Sequence, residues 1–236
     1  MHTAGTYDST ADVFSSQGRH AEALEYYAKA LAIKRDVLGE QHPSTADTYD
    51  NMGFVFSIQG HYAEALEYYA KALAIKRDVL GERHPSTATT YNNMGLVFSD
   101  QGRYAEALEY LSKALAIQCD VLGERHPDTA DTYKNMAGVL NSQGRHAEAL
   151  EHYAKALATY IGTMGERHPA TATAYYSMAD VFDNQGRHAK ALEYHERALA
   201  IKCDLLGELH PSTANSYWGA ANTHNKLGDK SKAREL

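Results

Sequence analysis

Two cysteines, five prolines and a single tryptophan in 236 residues are few of the residues that staple or abruptly punctuate a small fold. Cys119 and Cys203 stand 84 residues apart, twice a repeat period set out below, which places them at the same point of equivalent helices. Packed helices lie ~8–10 Å apart, and three helices intervene, so the two thiols cannot reach the ~5.5 Å Cα separation of a disulfide. Free thiols fit a reducing compartment, and the expected location is cytoplasmic. No stretch approaches the ~18 apolar residues of a membrane span, and the N-terminus has no charged-then-apolar signal pattern. There is no Lys/Arg block either: 30 acidic against 23 basic residues give a net charge of -7, which argues against a nucleic-acid partner. His-Glu-x-x-His, glycine-rich phosphate loops and Gly-x-Ser-x-Gly are all missing, so no enzyme activity and no cofactor are expected. Thirteen histidines invite a metal reading, but those before prolines are a whole repeat apart and cannot converge on one ion.

What is present is strict periodicity. His-Pro recurs at 42–43, 84–85, 126–127, 168–169 and 210–211, every 42 residues, and Gln-Gly keeps the same register at 17–18, 59–60, 101–102, 143–144 and 185–186. A fixed period of this length marks a stacked array, in which each unit buries its apolar face only against its neighbours. The expected organisation is one array over 1–236, with repeats 1–42, 43–84, 85–126, 127–168, 169–210 and a partial repeat 211–236.

Within 43–84, Pro43 suits a first helical turn and Gly60 a left-handed helix end, which predicts a helix A over about 43–58. Thr45, Ala46, Tyr49, Met52, Gly53 and Phe56 form its buried stripe. A helix B over about 61–80 opens with Glu64 and Glu67 and carries Lys71, Lys76 and Arg77 later, complementing the macrodipole. Ala65 and Ala72 beside Leu66, Tyr69, Leu73 and Ile75 suit close helix packing. The unit reads as a helical hairpin.

Tyr49, Met52, Gly53, Phe56, Ala65, Tyr69 and Ala72 resemble the tetratricopeptide consensus, and the same columns recur down the chain to Tyr175, Met178, Ala179, Phe182, Ala191, His195 and Ala198. The tail Val79-Leu80-Gly81-Glu82-Arg83-His84-Pro85, in a 42-residue unit, is similar to the kinesin-light-chain type. The resemblance implies an all-α fold, a right-handed α-solenoid of helix-turn-helix repeats, whose A helices line a concave groove for a peptide or partner helix.

Repeats 43–84 and 85–126 agree at 33 of 42 positions. Their helix A differences, Asp47/Thr89, Asp50/Asn92, Phe54/Leu96 and Ile58/Asp100, share one face turned from the buried stripe. Down the chain one column of that face reads Asp8, Asp50, Asn92, Lys134, Tyr176, Trp218, and another reads Asp12, Phe54, Leu96, Gly138, Asp180, Asn222. Under the resemblance this is the binding face. Asn51, Asn93 and Asn135 persist along its edge, and an amide can pair with the main chain of an extended peptide whatever its sequence. Asp12, Asp47, Asp50, Asp100, Asp131, Asp180 and Asp183 point to it against Lys134 and Lys226, which predicts a basic or neutral ligand. Phe54, Leu96, Tyr176 and Trp218 are the expected apolar contacts.

Two further features stand apart. Thr159-Tyr160-Ile161-Gly162-Thr163-Met164 replaces Ile75-Lys76-Arg77-Asp78-Val79-Leu80, and Tyr160 with Ile161 reads as an apolar spot on helix B, either a local repacking or a second contact site. Thr10, Thr223 and His224 make the end helices more polar than their siblings, as capping repeats require. Rival readings are a self-associating assembly module with no peptide ligand, stacking through its ends, and the sensor or adaptor part of a larger protein.

Overall fold

The computed structural model describes residues 2–229 and 232–235, the side chains of 2, 234 and 235 excepted. Every regular element among them is a helix. In chain order these are α1 (His2–Ser16), α2 (His20–Val37), α3 (Pro43–Ile58), α4 (Tyr62–Val79), α5 (Pro85–Asp100) and α6 (Tyr104–Val121). They continue as α7 (Pro127–Ser142), α8 (His146–Met164), α9 (Pro169–Asn184), α10 (His188–Leu206), α11 (Pro211–Lys226) and the short α12 (Lys232–Glu235). Odd-numbered helices up to α11 are the A helices of the repeats, and the architecture is an all-α solenoid of consecutive hairpins.

The His-Pro period is a helix start. Proline takes the first helical position, and the histidine before it is an extended N-cap whose ring Nδ1 accepts the backbone N–H two residues on. That distance is 3.1 Å at His42, His84, His126 and His210 and 3.2 Å at His168. Asp, Asn, Ser or Thr usually supplies this acceptor; here an imidazole does so. Two residues past each proline, Thr45, Thr87, Thr129, Thr171 and Thr213 are wholly buried and donate to the carbonyls of Gly39, Gly81, Gly123, Gly165 and Gly207. Gly81, at φ 97°, can hold this turn where an L side chain is strained. The Gly-x-x-His-Pro-x-Thr segment is therefore a closed staple joining a B helix to the next A helix. The other turn ends helix A in a Schellman arrangement: at Gly60, φ 78°, the glycine N–H bonds Ser57 O and the His61 N–H bonds Phe56 O, both at 2.9 Å.

The helices fall into two compact units, residues 1–121 and 122–236. In the first, α1/α2, α3/α4 and α5/α6 are hairpins, with α2 packed on α3 and α4 on α5. Their cores are shared: Ala11, Ala23 and Tyr27 pack with Met52 and Val55 of the following A helix, and Ala88, Tyr91, Ala114 and Ile117 take in Leu73 from the preceding hairpin. In the second unit α7/α8 and α9/α10 are hairpins, α8 packs on α9, and α10 on α11. There Ala172, Tyr175, Ala198 and Ile201 take in Leu157. Apolar burial thus comes from stacking as well as from each hairpin.

Helix A begins and ends where the sequence places it, and helix B is shorter by a residue at each end. The buried stripe differs in one respect. Val55, Val97, Val139 and Val181 are buried throughout, while Phe56 is only half-buried, stacked on Tyr68 with ring centroids 5.2 Å apart. Glycine at 53 and 95 is a spacing requirement. A Cβ at Gly53 meets the Tyr69 ring at 3.0 Å, and one at Gly95 meets Leu111 at 2.7 Å and the Ala107 carbonyl at 3.2 Å. Thr223 and His224 are not a solvent-facing polar cap as expected. Both are buried, and Thr223 donates to Asp183 at 2.7 Å.

Candidate functional site

The A-helix columns separate into those that reach solvent and those that the stack consumes. In the first unit Asp50 is 8% exposed, not turned to solvent as expected. It forms an ion pair with Lys76, which is 2% exposed, and accepts from Thr90 of the next A helix at 2.9 and 3.0 Å. Burial pushes the Asp50 carboxyl up, against the pull of the Lys76 charge and hydrogen bond. Asp8 repeats the arrangement with Lys34 at 2.7 Å, and Thr48 bridges the two at 2.8 Å to Lys34 Nζ and 3.2 Å to Asp8. These ions tie one repeat to the next. Removing one partner of such a buried pair costs about 3–5 kcal/mol, because the other is left as an uncompensated charge.

Lys34 and Lys76 therefore do more than complement a helix dipole. Their column runs Lys34, Lys76, Gln118, Tyr160, Lys202, and it changes in step with the A-helix column Asp8, Asp50, Asn92, Lys134, Tyr176. Acid stands with base, amide with amide, and aromatic with base. In the second unit Tyr160 is wholly buried and donates to Asp131 at 2.7 Å, and Lys134 pairs with the same carboxylate at 2.8 Å. Burial first, and then that hydrogen bond, raises the Tyr160 phenol. Of the apolar spot expected on helix B, Tyr160 is thus interior, while Ile161 is 38% exposed. Lys202 Nζ lies 5.0 Å from the Tyr176 ring centroid and bonds Ser212 O at 3.2 Å. Much of the variability in this column is matched packing, a signal available in the sequence to anyone comparing both columns together.

The acidic face is correspondingly thinner than expected. Asp183 is internal, accepting from His188 at 2.8 Å and Thr223 at 2.7 Å, with Lys226 at 3.3 Å. Burial would raise its carboxyl, but those bonds together hold it below its usual value. Asp12 accepts from the Tyr27 hydroxyl, and Asp131 is engaged as above. Asp12 nevertheless remains exposed, as do Asp47 and Asp100, and Asp131 and Asp180 are half-exposed. Burial, with Asp183 beside it, pushes Asp180 up to about 6. Tyr176 is half-buried, edge-on to the His195 ring at 5.1 Å. Asn92, Lys134 and Asn135 are half-buried, Leu96 is exposed, and Trp218 is 68% exposed.

One place gathers several of the singled-out residues. In the first unit an open cavity of about 320 Å³ is lined by Asp47, Asn51, Phe54, Asn93, Ser86 and Thr89, with Asp50 and Lys76 at its floor. Phe54 stands 52% exposed, and Asn51 and Asn93 are half-buried, one from each of two successive A helices. Asp47 is exposed and shares Lys76 with Asp50 at 3.2 Å. The cavity therefore offers an aromatic face, two amides and a carboxylate only partly neutralised from below. Among the described residues no group of histidine, cysteine and acidic side chains could hold a metal ion, and no helix is long and apolar enough to cross a membrane. Cys119 and Cys203 are free thiols.

A family profile described as tetratricopeptide repeat matches residues 3–78, 62–120, 86–160 and 128–204. No curated protein matches. Among solved structures, BtubC (BKLC) from P. vanneervenii superposes with TM-score 0.77 at 20% identity, over 93% of this chain and 87% of that one. A putative kinesin light chain of nearly identical TPR-like repeats from Podosopora anserina gives TM-score 0.70 at 25% identity, over 82% and 92%. The apo form of RapI gives 0.71 at 16%, over 98% and 94%.

Proposed function

Because the chain belongs to the tetratricopeptide repeat family, we propose that it is a non-enzymatic scaffold whose A-helix face holds a peptide or protein segment of basic or neutral character. Proteins of this family generally mediate protein–protein interactions, and the family is generally non-enzymatic. The observation that carries the reading is the cavity of the first unit, where Asn51, Asn93, Asp47 and Phe54 converge. Two amides on successive helices suit the alternating donors and acceptors of an extended backbone, which is the sequence-independent part of peptide recognition. Phe54 supplies apolar area, and Asp47 favours a ligand cation over an anion. A cytoplasmic location goes with this reading.

The test is a titration of short basic, neutral and acidic peptides by fluorescence anisotropy at low and high salt, against the wild-type protein and the Asn51→Ala/Asn93→Ala pair. Basic peptides should bind best and lose affinity with salt, and all peptides should weaken in the variant. Each lost amide contact is worth about 0.5–1.5 kcal/mol, so the pair should weaken binding by roughly five- to a hundredfold. Preferential binding of the acidic set, or full affinity in the variant, would sink the reading.

A further inference from the structure

Residues 159–164 depart from their siblings, and the groove uses none of them. Elsewhere the arginine of the Gly-Glu-Arg-His-Pro turn reaches forward 37 residues to an aspartate near the end of the next B helix. Arg83 pairs with Asp120, and Arg167 with Asp204 at 3.5 Å. The same step from Arg125 lands on Gly162. Arg125 has no ion-pair partner among the described residues. In place of the carboxylate lies a cavity of about 260 Å³, lined by Arg125, Ala158, Thr159, Gly162 and Thr163. The matching cavity one repeat on is lined by Arg167, Ala200 and Ile201, and Asp204 itself is part of its wall.

Three changes within one helical turn make this difference. Asp becomes Gly162, which removes the chain's own carboxylate, and a Cβ there meets nothing within 4 Å. Thr159 replaces the isoleucine of positions 75, 117 and 201, and Thr163 replaces Val79, Val121 and Leu205, exchanging hydrocarbon for hydroxyls. Thr163 Oγ1 already donates to Thr159 O at 2.7 Å, and the guanidinium of Arg125 is the charged donor in the cavity wall. A helix C-terminus repels anions, yet Asp120 and Asp204 sit at that same helix end facing an arginine. The planar, two-pronged guanidinium is matched to a carboxylate.

We propose that Arg125 and the cavity beside Gly162 take up the carboxylate of an Asp or Glu side chain from a bound protein segment, filling the place that the chain's own aspartates fill in the flanking repeats. The site is separate from the groove and stands or falls independently of it. Exposed pairs of this kind are weak, so charge should contribute only a factor of roughly two to five.

N-acetyl-aspartyl-N-methylamide, with its asparaginyl analogue as control, can be titrated into the isotope-labelled whole chain, reading the Gly162 amide and Arg125 Nε–Hε resonances by NMR. The aspartyl probe should give saturable shifts at both, roughly two- to fivefold tighter than the asparaginyl probe. Arg83 and Arg167 should not respond. Arg125→Gln should abolish the response. Gly162→Asp should also abolish it while folding normally, since the new side chain has room and restores the sibling pairing; unchanged helicity and melting temperature are the control. Shifts that do not saturate, equal response to both probes, equal response at Arg83 or Arg167, or survival of the response in folded Gly162→Asp would each overturn the proposal.

Discussion

In repeat two, Asp50 and Lys76 meet inside the stack, and Thr90 of the next A helix donates to the same carboxylate. In repeat five those columns hold Tyr176 and Lys202, the ammonium lies over the phenol ring, and Ser216, which follows in the threonine column, has a buried hydroxyl with no hydrogen-bond partner among the described residues. Beside them His195 takes the column of Tyr69, 1% exposed, with both ring nitrogens unbonded and Asp180 and Asp183 each 3.9 Å away. One frame is thus closed by two chemistries, a saturated ionic latch and an aromatic junction with polar atoms left over. Column variability on helix A is absorbed first by helix B of the same hairpin, and only residues outside that exchange are free to meet a ligand.

The largest effect should come from breaking the latch of repeat two. Asp50→Ala leaves Lys76 buried with only the exposed Asp47 beside it, 3.2 Å away, and should cost up to about 3 kcal/mol, read as a fall in the urea midpoint of the first unit. The double variant Asp50→Asn/Lys76→Gln reproduces the residues that repeat three carries at 92 and 118 and should recover most of that loss. A double variant no better than Asp50→Ala would show that the two columns are not exchanging partners. In repeat five, Lys202→Met leaves Tyr176 neutral and takes a cation only from Asp180, which is half-exposed, so it should cost well under half as much by the same measurement.

Glycine gives the next contrast. At Gly95 a Cβ runs into Leu111 and the Ala107 backbone, so Gly95→Ala overpacks the hairpin and should cost about 1–3 kcal/mol. At Gly162 the space is open within a helix, so Gly162→Ala should stabilise by up to about 1 kcal/mol. Thermal melts of the two variants should therefore move in opposite directions. A stabilised Gly95→Ala would mean that the hairpin is looser than the 2.7 Å approach implies.

The fold was legible because its determinants are local and repeated. Pro43 and Gly60 bracket helix A, and Tyr49, Met52 and Gly53 mark its inner face, so one repeat read well served for all. The site was legible only in part. Asn51, Phe54 and Asn93 share a cavity, but helical periodicity, which sees one helix at a time, makes Asp50 and Asp183 surface charges. Whether an aspartate at that angle meets water depends on Lys76 or Thr223 arriving from another element. The same limit hid Tyr160, whose burial follows from Asp131 on the facing helix. The capping role of the histidines escaped for another reason, since an imidazole is seldom the acceptor at a helix start.

The smallest and most specific effect concerns pH at repeat five. His195 faces Asp180 and Asp183 from α9, Lys202 from its own helix and Lys226 from α11, and burial lowers its pKa, with Asp183 opposing. A lowered histidine binds its proton more readily in the unfolded chain, so its contribution to stability is lost as pH falls below about 6.5. Asp180 works the other way. Its folded pKa of about 6 lies above the ordinary 3.8, so its ionised form penalises the fold at neutral pH and the penalty is relieved as pH falls from about 6 towards 4. The two trends offset each other in the wild-type protein. Asp180→Asn should expose the histidine trend, with stability of the second unit falling more steeply from pH 7 to 5 and rising at pH 8 by at most about 1 kcal/mol, given the screening of a half-exposed carboxyl. His195→Leu, the residue that repeat three carries at 111, should instead gain stability on acidification over the same range. Below pH 4 both should weaken, because Asp183 is held below its usual value and its bonds to His188, Thr223 and Lys226 are lost as it protonates. Identical pH profiles for the two variants between 5 and 7 would show that the residues left unpaired around His195 do not distinguish this junction from the ionic one in repeat two.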